Sequence, residues 1–174
     1  SMWIQTEAAG SARPGQFISM YTNDGSKLLP RPISICEIDK EGGKLRVVYR
    51  VTGEKTGTEE FSQMKAGDTI PVIGPLGNGF PFEKAEGKKV FLMGGGIGVP
   101  PILELAKQME CEKKQIVVGY RDAHTFLKEE FEQAGELYIS TEDGSVGTKG
   151  NVMDAIRENV LEADMIYACG PTPM

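Results

Sequence analysis

The sequence predicts two folds in series: an all-β half over residues 1–82, built as a small antiparallel barrel, and an α/β half over 83–174, built on a parallel sheet. Three observations predict it. Residues 17–21, 33–38, 45–51 and 69–73 are short runs rich in branched and aromatic side chains, separated by the turn formers Asn23-Asp24-Gly25, Glu41-Gly42-Gly43 and Ala66-Gly67-Asp68, the pattern of antiparallel strands joined by tight connections. From residue 90 the period changes, and apolar runs at 90–93, 116–120, 137–140 and 165–168 alternate with helical spacing at 101–109, 126–134 and 151–160. Such alternation implies parallel strands with helices on both faces. Between the halves, residues 74–89 concentrate glycine, proline and charge, as a boundary does.

Within the first half, one helical turn is expected at 59–64. Within the second, Ile102, Ala106 and Met109 fall on one face of the first helix and form a core stripe. The sequence contains no internal repeat and no low-complexity segment.

Composition narrows the function. With 174 residues and a 40% hydrophobic fraction, the chain can bury a real core. A net charge of −6 argues against nucleic acid or an anionic membrane as partner, because those surfaces select basic patches. No apolar run approaches the ~20 residues that cross a bilayer, and the start does not read as a signal peptide; Ser1-Met2 resembles the remnant of an expression tag. Cys36, Cys111 and Cys169 are odd in number and far apart. They predict neither a disulfide framework nor a metal site, and they favour a reducing, cytoplasmic setting. Cys36 reads as a core filler and Cys111 as a helix-end residue. His124, the one histidine, reads as a surface residue, and nothing forms a nucleophile, histidine and carboxylate set.

Four runs carry chemistry. Gly94-Gly95-Gly96-Ile97-Gly98-Val99-Pro100-Pro101 follows the apolar run 90–93 and opens a helix. It is therefore a strand-to-helix turn where small residues and the positive helix end can receive a pyrophosphate, with the prolines tolerated in the first helical turn. It lacks the third glycine of the common dinucleotide fingerprint, and a ligand-free tight turn is the plain alternative. Arg31-Pro32-Ile33-Ser34 combines a cation able to grip a phosphate, a rigid φ and a hydroxyl able to hydrogen-bond a flavin ring nitrogen. An edge-strand start with an exposed arginine reads equally well. Val48-Tyr49-Arg50, Gly53 and Gly57-Thr58 add a second arginine and a glycine-flanked hydroxyl; the alternatives are a strand aromatic at Tyr49 and a helix capped by Thr58. Cys169-Gly170-Pro171 leaves the last apolar run, where open parallel sheets bind ligands. A small thiol there can pack near a nicotinamide, or it is an inert buried group. Glu142-Asp143-Gly144-Ser145 follows the third parallel strand. Its carboxylates would accept from a ribose diol and repel a 2′-phosphate, favouring NADH over NADPH, unless they only line a solvated loop.

The order of RPIS, VYR, GPLGNGF, GGGIGVPP, EDGS and CGPTPM resembles that of the dihydroorotate dehydrogenase B electron-transfer subunits, a family of ferredoxin reductase-like flavoproteins, over nearly the whole chain. The resemblance implies FAD on the barrel, contacted by Arg31, Pro32, Ile33, Ser34, Val48, Tyr49, Arg50, Gly57 and Thr58. It implies NAD(H) on the α/β half, at Gly94, Gly95, Gly96, Ile97, Gly98, Glu142, Asp143, Cys169, Gly170 and Pro171. The family adds a [2Fe-2S] cluster in a cysteine-rich C-terminal segment and an FMN-containing dihydroorotate dehydrogenase catalytic subunit, in a heterotetramer of two subunits of each kind. It also begins with one more barrel strand, so the resemblance implies a subunit without that strand and without the cluster segment. Its function would be electron transfer between dihydroorotate oxidation and NAD⁺ in pyrimidine biosynthesis, with no side-chain acid or base. Rival readings are the flavin subunit of a sulfide dehydrogenase, hydrogenase or ferredoxin:NADP⁺ oxidoreductase, and a non-catalytic nucleotide-binding module.

Overall fold

Strand β2 (Phe17–Met20) buries Ile18 and Met20 and leaves Phe17 and Ser19 partly open, the period-two burial of a strand with one face in a core. This computed structural model describes residues 1–171. In it, β2 pairs antiparallel with β3 (Arg31–Asp39), placing Ile18 opposite Ile33 and Met20 opposite Arg31. On its other side β2 meets β5 (Val72–Leu76). Strand β3 continues to β4 (Lys44–Val47), and β4 to β1 (Met2–Gln5), so the order is β1-β4-β3-β2-β5, antiparallel throughout. The sheet curls as a half-barrel around Ile4, Ile18, Met20, Ile35, Leu45 and Val47, and helix α1 (Gly57–Gln63) adds Phe61 to that core.

Three differences from the sequence reading have local causes. Strand β1 was not expected, since its four residues bury only Ile4. Strand β4 ends at Val47, so Val48, Tyr49 and Arg50 follow the strand instead of lying within it. Helix α1 is capped by Thr56, whose side chain accepts from the Glu59 N–H at 3.2 Å. Thr58 is therefore not the cap but a buried first-turn residue.

The chain divides between Gly79 and Phe80 into two compact units. In the second, β6 (Lys89–Gly95), β7 (Lys113–Tyr120), β8 (Glu136–Thr141), β9 (Thr148–Lys149) and β10 (Met165–Cys169) form one parallel sheet of order β10-β6-β7-β8-β9. Every residue of β6 from Val90 to Gly95 is buried, which requires cover on both faces. Helix α2 (Val99–Gln108) supplies one cover: a Cβ built on Gly94 would lie 3.0 Å from the Val99 Cα. Helix α4 (Val152–Glu158) supplies the other, against Phe91, Met93 and Val117. Ile102, Ala106 and Met109 are all buried, as their shared helical face requires.

Helix α3 (Lys128–Ala134) starts later than the spacing predicts, because Leu127 takes a left-handed φ of 64° and the Tyr120 hydroxyl holds the Phe126 carbonyl at 2.7 Å. The start of α4 is fixed by a reciprocal cap: Asn151 Oδ1 accepts from the Asp154 N–H, and the Asp154 carboxylate accepts from the Asn151 N–H at 2.9 Å. That helix ends early where Val160 turns left-handed, with φ 52°. Among the described residues, no helix is long and apolar enough to cross a membrane.

Candidate functional site

In the first unit the candidate residues gather around Arg31. It opens β3, and its guanidinium donates to the Leu29 carbonyl. A Cβ built on Gly57 would lie 3.2 Å from Arg31 Nε and 3.0 Å from Thr22 Cγ2. Only hydrogen at position 57 leaves the arginine where it is, so Arg31 and Gly57, twenty-six residues apart in the sequence, share one corner. Thr58 joins that corner through its hydroxyl, which accepts from the Thr52 N–H at 3.1 Å and lies 3.1 Å from Thr56 Oγ1. Thr22, Thr52 and Thr56, which complete this corner around the expected Thr58, were missed in the sequence; their only signal is the spacing of Thr52, Thr56 and Thr58.

The rest of the set divides by face. Ile33 packs on the half-barrel core, so contact with a cofactor outside that core would come from its backbone. Pro32 is exposed and Ser34 partly so, and alternation along the strand puts these two on the face opposite Ile33. Tyr49 meets Phe61 edge to face, with ring centroids 6.0 Å apart, and burial pushes its phenol pKa up. It is a packed aromatic at the rim of the core. Arg50 is exposed and Val48 half-buried.

In the second unit the carboxyl ends of β6 and β10 bring two distant motifs into contact. Cys169 stands beside Gly94 in the sheet register. A Cβ on Gly98 would lie 2.2 Å from the Cys169 carbonyl oxygen and 2.7 Å from the Gly170 Cα. The glycine run therefore has two jobs. Gly94 and Gly98 are buried and let α2 and the Cys169-Gly170 turn close on β6, and Gly95 is the buried strand end. Gly96 and Ile97 are exposed; Gly96 has φ 53° and nothing within 4 Å of a built Cβ. The Val99 N–H closes onto the Gly96 carbonyl, and Pro100 and Pro101 bring no N–H. The amides this turn can offer a phosphate are those of Gly96, Ile97 and Gly98.

Cys169 is half-buried, and burial pushes its thiol pKa up, so it stands as a neutral packing group at neutral pH. Gly170 and Pro171 are exposed; the last three residues of the CGPTPM run lie outside the described residues. Glu142 and Asp143 follow β8 on an exposed loop. The Asp143 carboxylate accepts from the Ser145 N–H at 2.9 Å, and its hydrogen bonds to Ser145 hold its pKa below the usual range, against a raising influence from Asp122. Asp122 follows β7 and is itself held down by hydrogen bonds from His124. It is a third carboxylate near this corner that the sequence reading did not single out. In β8 itself, Ser140 Oγ is buried without a hydrogen-bond partner among the described residues. Among the described residues, no group of three His, Cys, Asp or Glu side chains is placed to hold a metal.

The profile of the oxidoreductase NAD-binding domain family matches residues 92–174. The chain is 46% identical over 167 residues to the protein named dihydroorotate dehydrogenase B (NAD(+)), electron transfer subunit, of Bacillus caldolyticus, covering 93% of this chain and 64% of that one. It is 45% identical to the protein of the same name in Fusobacterium nucleatum subsp. nucleatum, covering 92% and 65%. The chain thus spans about 64% of the length of the curated relatives it matches. Among solved structures, an NADH-dependent reduced ferredoxin-NADP oxidoreductase superposes with a TM-score of 0.84 at 33% identity, over 98% of this chain and 62% of that one. The ferredoxin reductase of carbazole 1,9a-dioxygenase superposes at 0.78 with 21% identity, over 98% and 56%, a likeness of fold alone.

Proposed function

We infer that this chain, which resembles ferredoxin reductase-like oxidoreductases over nearly its whole length, is an electron-transfer subunit that holds FAD on its half-barrel and NAD(H) on its parallel-sheet unit. The observation that carries the reading is the contact of Gly98 with the Cys169-Gly170 turn, which joins two motifs at the edge of the sheet where dinucleotides bind. The residues present fit both cofactors. Gly96 leaves open space beside exposed amides, and the Gly57 corner presents a guanidinium with donors beyond the one given to Leu29.

The chemistry when both are bound is hydride exchange between a flavin and a nicotinamide, which the cofactors supply. The chain binds and orients. Arg31 places positive charge against a diphosphate, and Ser34 offers a hydroxyl on the outward face of β3. Gly96, Ile97 and Gly98 receive the second pyrophosphate, and Gly170 and Pro171 hold the Cys169 turn beside it. The neutral Cys169 thiol fills the space next to the nicotinamide without competing for protons. Glu142 and Asp143 accept from the adenosine ribose and disfavour a 2′-phosphate, giving a preference for NADH. Within a complete assembly the reading assigns an FMN-bearing dihydroorotate dehydrogenase partner, a [2Fe-2S] relay outside this chain's own cysteines, a heterotetramer, cytoplasmic residence and a place in pyrimidine biosynthesis; the relatives' names support it.

The test is the flavin itself. Purified chain should release FAD on denaturation, and Arg31→Ala should weaken its retention by about tenfold or more, the loss of a charge-assisted contact. Release of FMN, or unchanged FAD affinity in the variant, overturns the site. A second reading, the flavin subunit of a ferredoxin-NADP oxidoreductase, is favoured by the likeness to the NADH-dependent reduced ferredoxin-NADP oxidoreductase. Faster flavin reduction by NADPH than by NADH would select it.

A further inference from the structure

Where α2 and α3 pass the start of β7, the surface of the second unit opens into a cleft of about 430 Å³ lined by Ala106, Lys107, Lys114, Glu130, Gln133 and Ala134. It stands at the amino end of the parallel sheet, where Lys114 lies beside Val90, and the glycine turn follows β6 at the other end. The Lys114 side chain is held in this cleft at two points. Its stem runs over Gly135, where a Cβ would lie 3.1 Å from Lys114 Cδ and 3.2 Å from Cγ. Its amine donates to the Ala106 carbonyl near the end of α2. Lys113, one residue earlier, instead pairs with Glu136 at 3.2 Å. Burial pulls the Lys114 pKa down, against a raising influence from Cys111; Lys107 on α2 and Glu130 on α3 are the other titratable groups on the cleft.

We propose that Lys114 is an acylation site, whose amine takes the acyl group of an acyl phosphate or an acyl thioester entering this cleft. A lysine is a nucleophile only when neutral, and desolvation is one of the settings that make it so. A neutral amine that gives one N–H to the Ala106 carbonyl keeps its lone pair for attack. The nitrogen adds to the acyl carbonyl carbon and a C–N bond forms. The C–O bond of the acyl phosphate or the C–S bond of the thioester breaks, the phosphate or thiolate leaves with the electron pair, and the spare proton on nitrogen passes to solvent. The product explains why the donor is acyl rather than an aldehyde. A secondary amide carries no charge to desolvate and still has one N–H for Ala106. An imine can do one or the other: neutral, it has no N–H, and protonated, it restores the buried charge. The volume of the cleft suits a small acyl phosphate or the acyl end of a thioester.

The test treats the purified chain with acetyl phosphate and, separately, with acetyl-CoA, and follows each lysine by peptide mass spectrometry. At about neutral pH, Lys114 should be acetylated about threefold or more faster than the exposed Lys40 and Lys84. Its rate should stop rising at a lower pH than that of the same lysine in the urea-unfolded chain, because a lowered pKa completes the neutral fraction sooner. Gln133→Trp, an exposed position on the cleft wall, should leave the thermal midpoint in place and slow Lys114 about threefold or more, with Lys40 and Lys84 unaffected. The faster of the two reagents identifies the donor as acyl phosphate or thioester. Acetylation of Lys114 no faster than that of Lys40 and Lys84 with both reagents overturns the site, and an unslowed Lys114 in the Gln133→Trp chain overturns the cleft as its route.

Discussion

Two methyl groups, added two residues apart in the same glycine run, should have opposite consequences. At Gly98 a Cβ would stand 2.2 Å from the Cys169 carbonyl oxygen and 2.4 Å from its carbon, where unstrained contacts sit at about 3.5 Å. The overlap of roughly 1 Å falls on backbone that no rotamer change can move. Overpacking of this kind costs about 1–3 kcal/mol, and backbone collision argues for the upper end. For a unit of this size each kcal/mol moves the midpoint by roughly 4–8 °C, so Gly98→Ala should melt the second unit roughly 10–20 °C earlier. At Gly96 nothing lies within 4 Å, and only the left-handed φ of 53° is unfavourable, at about 1 kcal/mol. Gly96→Ala should therefore leave a well-folded unit, yet its methyl stands where a phosphate would approach, and NADH should bind about tenfold or more weakly. The assays are thermal unfolding followed by circular dichroism, and NADH titration with stopped-flow reduction of bound flavin. A Gly98→Ala chain that melts within a few degrees of the parent would refute the packing argument. A Gly96→Ala chain reduced at the parental rate would refute the assignment of the turn.

Val160 sits in a left-handed conformation with φ 52° and is 83% exposed, so its branched side chain is strained without packing in return. Val160→Gly should raise stability by about 0.5–1 kcal/mol in urea unfolding, after the extra chain entropy of glycine is counted; a lowered midpoint would count against it. The loop of residues 24–27 should respond to acid. Hydrogen bonds from Ser26 and Lys27 lower the Asp24 pKa from 3.8 to about 2. A carboxylate with a lowered folded-state pKa adds stability that is complete above its unfolded value and is lost as pH falls through the folded one. Amide exchange protection of Ser26 should accordingly hold from neutral pH to about pH 4 and fall away towards pH 2, and loss of protection already at pH 5 would contradict it.

The strand and helix alternation was legible because period and punctuation are local properties. Residues 90–93 and 116–120 are continuous apolar runs because both faces of β6 and β7 are covered, and Asn151 with Asp154 announces the start of α4 within four residues. What stayed hidden depends on contacts across distance. β1 has four residues and one buried side chain, and it becomes a strand only because β4 offers an edge. Thr58 looked like a cap because the choice between Thr56 and Thr58 turns on which backbone N–H each can reach. Tyr49 and Arg50 stood together in the sequence, but Phe61 draws Tyr49 towards the core while Arg50 is exposed. The sharing of a corner by Arg31 and Gly57 could not be seen in either motif alone, since it needs α1 to return beside the start of β3.

On the proposed function, the two units would solve one binding problem with different physics. Both would hold an anionic dinucleotide on a chain whose net charge is −6, which opposes binding at long range. At physiological ionic strength that opposition fades beyond about 8 Å, so the groups within a few ångströms of the phosphates decide. In the first unit the proposed group is a side-chain cation, Arg31, whose position depends on a missing side chain at Gly57. In the second the residues at the turn, Gly96, Ile97 and Gly98, carry no charge, and recognition would fall to backbone amides aimed by the packing of Gly94 and Gly98 against their neighbours. A charge can be deleted by one substitution without disturbing the fold. An amide can be misdirected only by moving the backbone, so on the proposed function the second site would depend on the close contact between Gly98 and Cys169 and the first would not.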